Sequence, residues 1–206
     1  MINVMKIDKL FFFFFLIPLL VCAQTQENLD KIAPFHEGLA AIQKGSQWGF
    51  MNTEGDLVVD FRNDLFPSPE HKNYPVFIDE RCLVTQKKDG ITYFGYINPT
   101  GKTAIEPQFL NATNFKDGKA IVLKLIKEVA GKNDALGKNV VYYKYNEVVI
   151  SNDGNIIKYL TPEGKNIALD RSVLKNPPPI TYKQIAASLY AQKDEKNKWT
   201  VLKVDK

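Results

Sequence analysis

Short apolar runs, rich in aromatic and β-branched residues, alternate with brief polar turns from Phe35 to about Ile167. Runs of this length and composition are typical of β-strands bounded by turns. The clearest example is residues 47–58, where an aromatic–glycine–aromatic strand enters a turn ending at Gly55 and a second apolar strand follows. The pattern therefore predicts a predominantly all-β fold built from consecutive antiparallel β-hairpins.

Four of the turns share one plan, with a small polar residue first and glycine last; they are residues 52–55, 98–101, 151–154 and 161–164. Proline stands second in two of them. These preferences are those of a type I turn, and a left-handed glycine after such a turn commonly closes a hairpin. We therefore expect four consecutive hairpins, closed at Gly55, Gly101, Gly154 and Gly164.

The strands around these turns are also repeated. Trp48 and Gly49 correspond to Phe94 and Gly95, and a weaker copy at 149–157 lacks the aromatic–glycine pair. A second motif, which begins with phenylalanine, recurs at residues 35–40, 77–82 and 115–120. Self-similarity of this kind indicates a repeat architecture, in which each unit packs mainly on its neighbours.

The aromatic–glycine pairs allow two interpretations. Glycine inside a strand marks a bend or a close approach, and a neighbouring ring can cover the bare backbone. Trp48 and Phe94 would then be buried contacts between units, which is the interpretation that we favour. The alternative makes Trp48 an exposed platform for a sugar ring.

These motifs resemble the WG-repeat family, whose unit joins a Phe-x-Glu-Gly-Leu-Ala motif, a Trp-Gly-Phe-Ile-Asn-x-x-Gly motif and an Ile-x-Pro-Gln-Tyr motif. Here they stand at residues 35–40, 48–55 and 105–109, and the match weakens over 140–167. Phe94 replaces the tryptophan in the second unit. The resemblance implies β-hairpin arrays in exported or cell-envelope bacterial proteins with a binding or scaffolding role. It brings no catalytic residues.

Residues 1–23 have the composition of a secretory signal, with Lys6 and Lys9 before an apolar core at 10–21. The core is too short to span a bilayer. We predict cleavage between Ala23 and Gln24, export to the periplasm or the extracellular space, and no stable membrane insertion afterwards. The alternative is a lipid anchor on Cys22.

Composition narrows the partners and the chemistry. The formal net charge is only +4 and three residues of 206 are arginine, so nucleic acid is not an expected partner. Cys82 is the sole cysteine outside the signal, which excludes an intramolecular disulfide; we interpret it as a buried strand residue, with a reactive thiol as the alternative. His36 and His71 show no metal-ligand spacing. We expect no cofactor.

The chain after the signal divides into a lead-in (24–34), a repeat domain (35–175) and a C-terminal cap (176–206). Within the repeat domain, proline-rich residues 61–76 form an insertion, and residues 120–145 predict a long hairpin. In the cap, a proline connector at 176–179 precedes Thr181 and Gln184, which have the spacing of a helix capping box. We predict a short α-helix to about Ala191 and a final strand at 199–204.

Two functional hypotheses follow. The first is a non-catalytic exported repeat module that binds a protein, a peptide or a cell-envelope glycan. The second is a glycan hydrolase, because paired carboxylates can cleave glycosides and acids fall at matching positions of the repeats: Glu37, Asp79, Glu80 and Asp117. No nucleophile elbow, phosphate-binding glycine loop or Cys–His arrangement is present in the sequence, so we favour the first hypothesis.

Overall fold

The computed structural model describes residues 26–133 and 137–204, and within them the chain is mostly β. No α-helix occurs in these residues; the helical segments are two 3₁₀ turns, Pro69–His71 and Val173–Lys175. The predicted all-β hairpin fold is confirmed. No helical segment of the described residues has the length and hydrophobicity that crossing a bilayer requires. The signal segment and the cleavage position between Ala23 and Gln24 lie outside the described residues.

The strands form three antiparallel sheets in chain order. The first contains β1 (Lys31–Ile32), β2 (Leu39–Lys44), β3 (Gln47–Asn52) and β4 (Leu57–Arg62). The second contains β5 (Cys82–Lys88), β6 (Ile91–Ile97), β7 (Thr103–Ala112), β8 (Lys119–Asn133), β9 (Lys138–Ser151), β10 (Ile156–Tyr159) and β11 (Lys165–Ile167). The third contains β12 (Tyr182–Ala186), β13 (Leu189–Lys193) and β14 (Trp199–Lys203). Neighbouring strands are thus mostly consecutive in sequence.

Three of the glycine-ended turns close hairpins, as their residue preferences predict. The amides of Gly55, Gly101 and Gly154 donate to the carbonyl three residues earlier, at 3.2, 2.9 and 2.8 Å. Each glycine has a positive φ, between 78° and 88°, which glycine adopts without the clash of a Cβ atom. These turns connect β3 to β4, β6 to β7 and β9 to β10.

The fourth turn has the same internal bond, from the Gly164 amide to the Thr161 carbonyl, but does not close a hairpin. The strands that it connects, β10 and β11, both pair with β9 and lie along one edge of it. Residues 161–164 form a loop that leaves this edge and returns to it. The conformation of the turn depends on its own residues, whereas the pairing of β10 and β11 depends on the long strand β9.

A second type of turn also recurs. The bridges His36↔Leu39, Ile78↔Arg81 and Lys116↔Lys119 each enclose two residues, and all six enclosed residues have positive φ. Positive φ at both positions defines a type I′ turn, which suits the twist of a two-residue hairpin. The pair Ala186↔Leu189 encloses two residues in the same way before β13. The described residues therefore contain four register-equivalent units; the first three start with a type I′ turn, and the fourth starts with a two-residue turn that lacks positive φ.

Strand register identifies the matching residue of each unit. The pairs lie four residues after the residue that closes each tight turn, namely Leu39, Arg81, Lys119 and Leu189. They are Gln43↔Trp48, Thr85↔Phe94, Leu123↔Glu147 and Lys193↔Trp199. We call the second member of each pair the aromatic position. Its third occupant is Glu147, which an aromatic–glycine search cannot find. Its fourth is Trp199, in the strand expected to be a cap.

The aromatic positions of the first two units are buried, with Trp48 6% and Phe94 1% exposed. Phe94 packs edge-to-face on Phe66, with 5.1 Å between ring centroids. Rings buried to this extent are core contacts, which is the interpretation that the sequence favours. Cys82 is also free, fully buried and beside this core, and burial raises the pKa of its thiol.

The glycine after each buried ring has a steric reason. A Cβ on Gly95 would lie 2.5 Å from the Ile105 carbonyl oxygen, and one on Gly49 would lie 2.8 Å from the Val59 carbonyl oxygen. The following strand crosses close to the ring strand at a register shift, so no side chain fits there.

The turn glycines also pack between units. The Cα of Gly101 lies against Val59, and that of Gly154 lies against Ile105, so that an added Cβ would approach the two side chains to 3.3 and 3.4 Å. Val59 and Ile105 are themselves equivalent, since they pair with Phe50 and Tyr96. The second and third units therefore place their turn glycines on the third strand of the unit before them.

The predicted C-terminal α-helix is wrong, because residues 182–186 form strand β12. A register shift at Ile185 interrupts the strand between Gln184 and Ala186. This bulge moves later apolar residues by one position, and the resulting spacing resembles that of a helix face. The Thr181 side chain, expected to cap the helix, instead donates to Glu147. The final strand is present as β14.

The long hairpin predicted around residues 128–138 is present and longer than expected. Strands β8 and β9 pair continuously from Lys119↔Ser151 to Asn133↔Lys138, with one register shift after Val129. The far end of this ribbon extends beyond the pairing with β7 and β11, which reach Lys124 and Tyr143.

Candidate functional site

The acids singled out as catalytic candidates lie on consecutive tight turns, and two of them, Glu37 and Asp79, accept hydrogen bonds from backbone amides. Both Glu37 carboxylate oxygens accept hydrogen bonds from the next turn, from the amides of Asp79 at 2.9 Å and Glu80 at 3.1 Å. Asp79 in turn accepts from the Gly118 amide at 2.7 Å. We call these contacts the turn staples. They join one unit to the next.

The last member of the series continues the pattern with a side chain. Gln184 donates its amide to the Lys116 carbonyl at 3.1 Å and to the Asp117 carboxylate at 3.4 Å. All three turns are therefore held by the following segment. Type I′ turns expose their amides, and a carboxylate is a strong acceptor for them.

Replacing Glu37 by alanine is expected to lower the free energy of unfolding by about 1 kcal/mol, because two amide hydrogen bonds to a charged but exposed acceptor are lost. The measurement is urea denaturation of the mature chain. Glu54→Ala is the matched control, since the Glu54 carboxylate accepts from Thr53 within a single turn. Equal stability of the two variants would contradict a stapling role for Glu37.

Glu147 is the acid with the most completely enclosed side chain, at 0% exposure. Its carboxylate accepts from the Thr181 amide and the Tyr182 amide, both at 3.0 Å, and from the Thr181 hydroxyl at 2.5 Å. The Lys165 ammonium lies 4.0 Å away. Glu147 thus joins the middle of β9 to the segment that enters the third sheet, and its oxygens are occupied by these structural contacts.

A groove is the strongest candidate for a binding site. It opens between the proline-rich insertion, the end of β7 and the start of the third sheet, with a volume of about 550 Å³. An adjoining cavity of about 370 Å³ shares Glu70, Thr113, Asn114 and Ile180. The groove is lined by Glu70, His71, Ile78, Thr113, Asn114, Phe115, Lys116, Ile121, Ile180, Tyr182, Lys183 and Gln184.

The floor of this groove is apolar and its rim is polar. Phe115 is buried and packs edge-to-face on Tyr96, with 4.7 Å between ring centroids, so the floor is part of the core. At the rim, His71 and Lys116 bring an imidazole and an ammonium group from segments distant in sequence. An apolar floor with a few polar groups is typical of ligand sites.

Hydrogen bonds between segments fix the walls. Asn114 donates to the Ser68 hydroxyl at 3.0 Å, which ties the end of β7 to the insertion. Asn111 donates to the Pro178 carbonyl at 2.8 Å, which ties the same strand to the proline connector. The His36 ring, which contacts the Phe77 carbonyl at 2.7 Å, lies 6.5 Å from the His71 ring. The groove is therefore formed by ordered contacts among three segments.

Other chemistry is sparse in the described part of the chain. Residues 26–133 and 137–204 contain no group of three or more His, Cys, Asp or Glu side chains placed to hold a metal ion. The far end of the β8–β9 ribbon exposes apolar side chains: Val129, Val140, Val141 and Tyr142. Tyr142 donates to Glu128, and this hydrogen bond lowers the pKa of Glu128 and raises that of Tyr142.

Sequence reasoning missed the groove and Glu147. The groove joins His71, Asn114 and Gln184, which no local motif links. Glu147 could have been found by counting from the tight turn at Asp117 to the fifth strand residue, Leu123, and then across the hairpin, because its register matches that of Trp48. The C-terminal unit carries the same signal, Leu-x-Ala at 39–41 and at 189–191 followed by a tryptophan.

The comparisons with known proteins identify one family. Residues 28–48 and 94–124 match the family model described as WG containing repeat. The first match contains the first tight turn and ends at Trp48, and the second runs from Phe94 through the third tight turn into β8. No curated protein and no solved structure matches the chain.

Proposed function

Because this chain contains WG repeats, we propose that it is a non-catalytic exported module whose repeat units form a rigid support for a binding groove. The ligand is a peptide or loop of another protein, or a cell-envelope glycan, and it occupies the groove between the proline-rich insertion and the third sheet. The module acts in the periplasm or outside the cell after removal of residues 1–23.

The observation that carries this proposal is the composition of the groove. His71, Lys116 and Gln184 reach one rim from three separate segments, above the apolar floor at Phe115. A ligand with polar groups along one side and an apolar or ring face on the other would satisfy both surfaces. Lys116 and Lys183 favour a ligand that carries acidic groups.

The proposal that the module is non-catalytic rests on the positions of the acidic side chains. Glu37 and Asp79 accept amide hydrogen bonds from the next turn. A general acid or base must instead reach a substrate atom within hydrogen-bond distance. Asp117 lies next to Gln184, a residue of the groove, and its carboxylate accepts a hydrogen bond from the Gln184 side-chain amide at 3.4 Å.

The test begins with the mature chain, residues 24–206, applied to an array of envelope oligosaccharides and to a library of acidic peptides. For each ligand found, the His71→Ala/Lys116→Ala double variant should bind at least about tenfold more weakly in calorimetry, which corresponds to about 1.4 kcal/mol. Asn166→Ala is the control, because Asn166 is exposed on β11, away from the groove.

Three results would contradict the proposal. One is the absence of any ligand, and another is equal affinity of the double variant and the control. The third is cleavage of a bound glycan, detected as new reducing ends, with loss of cleavage in Asp117→Asn. That result would establish the hydrolase.

A further inference from the structure

The third sheet ends in a strand whose outer edge has a defined equivalent elsewhere in the chain. Strand β14 pairs with β13 in the register by which β3 pairs with β2, since Lys193↔Trp199 matches Gln43↔Trp48. In the first two units the other edge of the ring strand is taken by a further antiparallel strand, β4 or β7. Within residues 26–133 and 137–204, no strand takes that place beside Trp199 and Val201.

Backbone geometry shows which groups this edge offers. The Val204 amide donates to the Ser188 carbonyl, and the Asp194 amide donates to the Lys198 carbonyl. Backbone polar groups alternate between the two edges of a strand. Thr200 and Leu202 therefore face β13, and the amides and carbonyls of Trp199 and Val201 point outward. An edge of this kind is a template for another strand.

The side chains on this sheet differ from those of the buried units in one respect. Trp199 is 51% exposed, whereas Trp48 at the same position is 6% exposed. Its ring lies near two ammonium groups, with Lys183 Nζ 4.3 Å and Lys193 Nζ 5.1 Å from the centroid. Val201 is 55% exposed beside it. The aromatic position of this unit thus lacks the cover that the other units have.

The charges on this face indicate which side chains a strand docked on β14 should carry. In the described part of the chain, the face that carries Trp199 and Val201 also carries Lys183, Lys193 and Lys203 and no acid; Asp194 and Glu195 lie in the turn before β14. Asp194 already accepts from the Lys196 and Lys198 amides. A strand docked here would meet lysines around an apolar centre, which favours glutamate or aspartate alternating with apolar residues.

Thr200 adds a restriction on the shape of that strand. It occupies the place of Gly49 and Gly95, where the crossing strand comes so close that no Cβ fits. A bulged strand of the β4 or β7 type would therefore collide with Thr200. A strand that is regular at this point fits, as β10 shows: Tyr159 pairs directly with Val148, the equivalent residue of the third unit, and the register shift of β10 lies further along, between Ile156 and Lys158.

We propose that the Trp199–Val201 edge of β14 binds a regular, extended acidic peptide segment of another protein by antiparallel strand addition. This interaction goes beyond the ligand of the groove, and Val201→Pro, which leaves the groove lining unchanged, distinguishes binding at this edge from binding in the groove. Affinity would come from main-chain hydrogen bonds, and specificity from alternate side chains over Trp199 and the lysines.

The test uses the mature chain and a synthetic heptapeptide that alternates glutamate with valine. Binding is measured by calorimetry and by the fluorescence of the exposed Trp199, which should shift to shorter wavelength as the ring loses water. We expect binding that weakens at least about tenfold when the glutamates are replaced by lysine. Methylation of the peptide amides that face β14 should produce a similar loss.

A pair of protein variants tests the same edge. Val201→Pro removes an outward amide while leaving the hydrogen bonds to β13, since proline is tolerated on an edge strand when its nitrogen faces solvent. This variant should lose binding, and Val201→Thr, which keeps the amide, should retain it. If Val201→Pro fails to fold, the methylated peptide still decides the matter with the unaltered protein.

The proposal is overturned by any of four results. These are no binding of the acidic peptide at millimolar concentration, equal binding of its methylated form, equal binding of its lysine form, or full binding by folded Val201→Pro. Concentration-dependent self-association of the unaltered chain, abolished by Val201→Pro in sedimentation, would assign the edge to a second copy and would also overturn it.

Discussion

Replacing Glu147 by alanine is expected to lower the free energy of unfolding by about 3–5 kcal/mol, because it leaves three buried or half-buried donors without their acceptor. Those donors are the Thr181 amide, the Thr181 hydroxyl and the Tyr182 amide. They hold the segment that enters the third sheet, so its strands should also exchange their amide hydrogens faster. Urea denaturation and hydrogen exchange measure the two effects.

Two further variants make this result interpretable. Glu147→Gln keeps the shape and one acceptor oxygen, so its loss of stability should be intermediate. Glu163→Ala removes an exposed acid from the nearby turn at 161–164 and should change stability by less than about 0.5 kcal/mol. A Glu147→Ala protein as stable as Glu163→Ala would show that Glu147 does not hold the third sheet in place.

The second large effect is expected from a matched pair of tryptophans. Trp48→Ala should lower the free energy of unfolding by about 3–5 kcal/mol, since Trp48 is 6% exposed in the first core. Trp199→Ala should lower it by about 1 kcal/mol, because half of that ring is already in water and its ammonium contacts are exposed. Both residues occupy the aromatic position in the same register, so the difference between the two losses of unfolding free energy measures the contribution of burial.

Thermal melts of the two variants, compared with Trp48→Phe and Trp199→Phe, provide the measurement. The phenylalanine variants keep a ring and should lie between each alanine variant and the unaltered protein. If Trp48→Ala melts normally but loses binding to an envelope sugar, Trp48 is a ligand platform and its burial has been misassigned. Equal losses for Trp48→Ala and Trp199→Ala would contradict the exposure of Trp199.

The parts of the fold that follow from local chemistry could be predicted from the sequence. The turns ending at Gly55, Gly101 and Gly154 have their first polar residue and a left-handed glycine within four positions, so the sequence contains the whole cause. The Gly95 contact with Ile105 was also predictable in kind, because glycine inside a strand signals close approach.

The incorrect predictions concern residues whose secondary structure depends on contacts with segments distant in sequence. Residues 182–186 carry helix-like spacing because of a bulge, but Thr181 and Tyr182 bind Glu147, which is 34 and 35 residues away in sequence. Gln184 likewise binds Lys116 across 68 residues. Tertiary contacts of this kind override local propensity. The turn at Gly164 has the residues of a hairpin turn, but the two strands that it connects both pair with β9 and not with each other.

The candidate site was the least predictable feature. The recurrence of Glu37, Asp79 and Asp117 was visible in the sequence, but recurrence fits a catalytic pair and a series of turn contacts equally well. Only the amide donors on the next turn distinguish the two arrangements. The groove has no sequence signature, because its rim comes from three segments that the fold brings together.

The account depends most on the register that makes Glu147 and Trp199 equivalents of Trp48 and Phe94. Nuclear magnetic resonance of the labelled mature chain tests it directly, through interstrand backbone contacts in each hairpin. We predict contacts for Gln43–Trp48, Thr85–Phe94, Leu123–Glu147 and Lys193–Trp199. Since a shift of one residue turns every side chain to the opposite face, finding Trp199 paired with Gln192 or Asp194 would contradict the account.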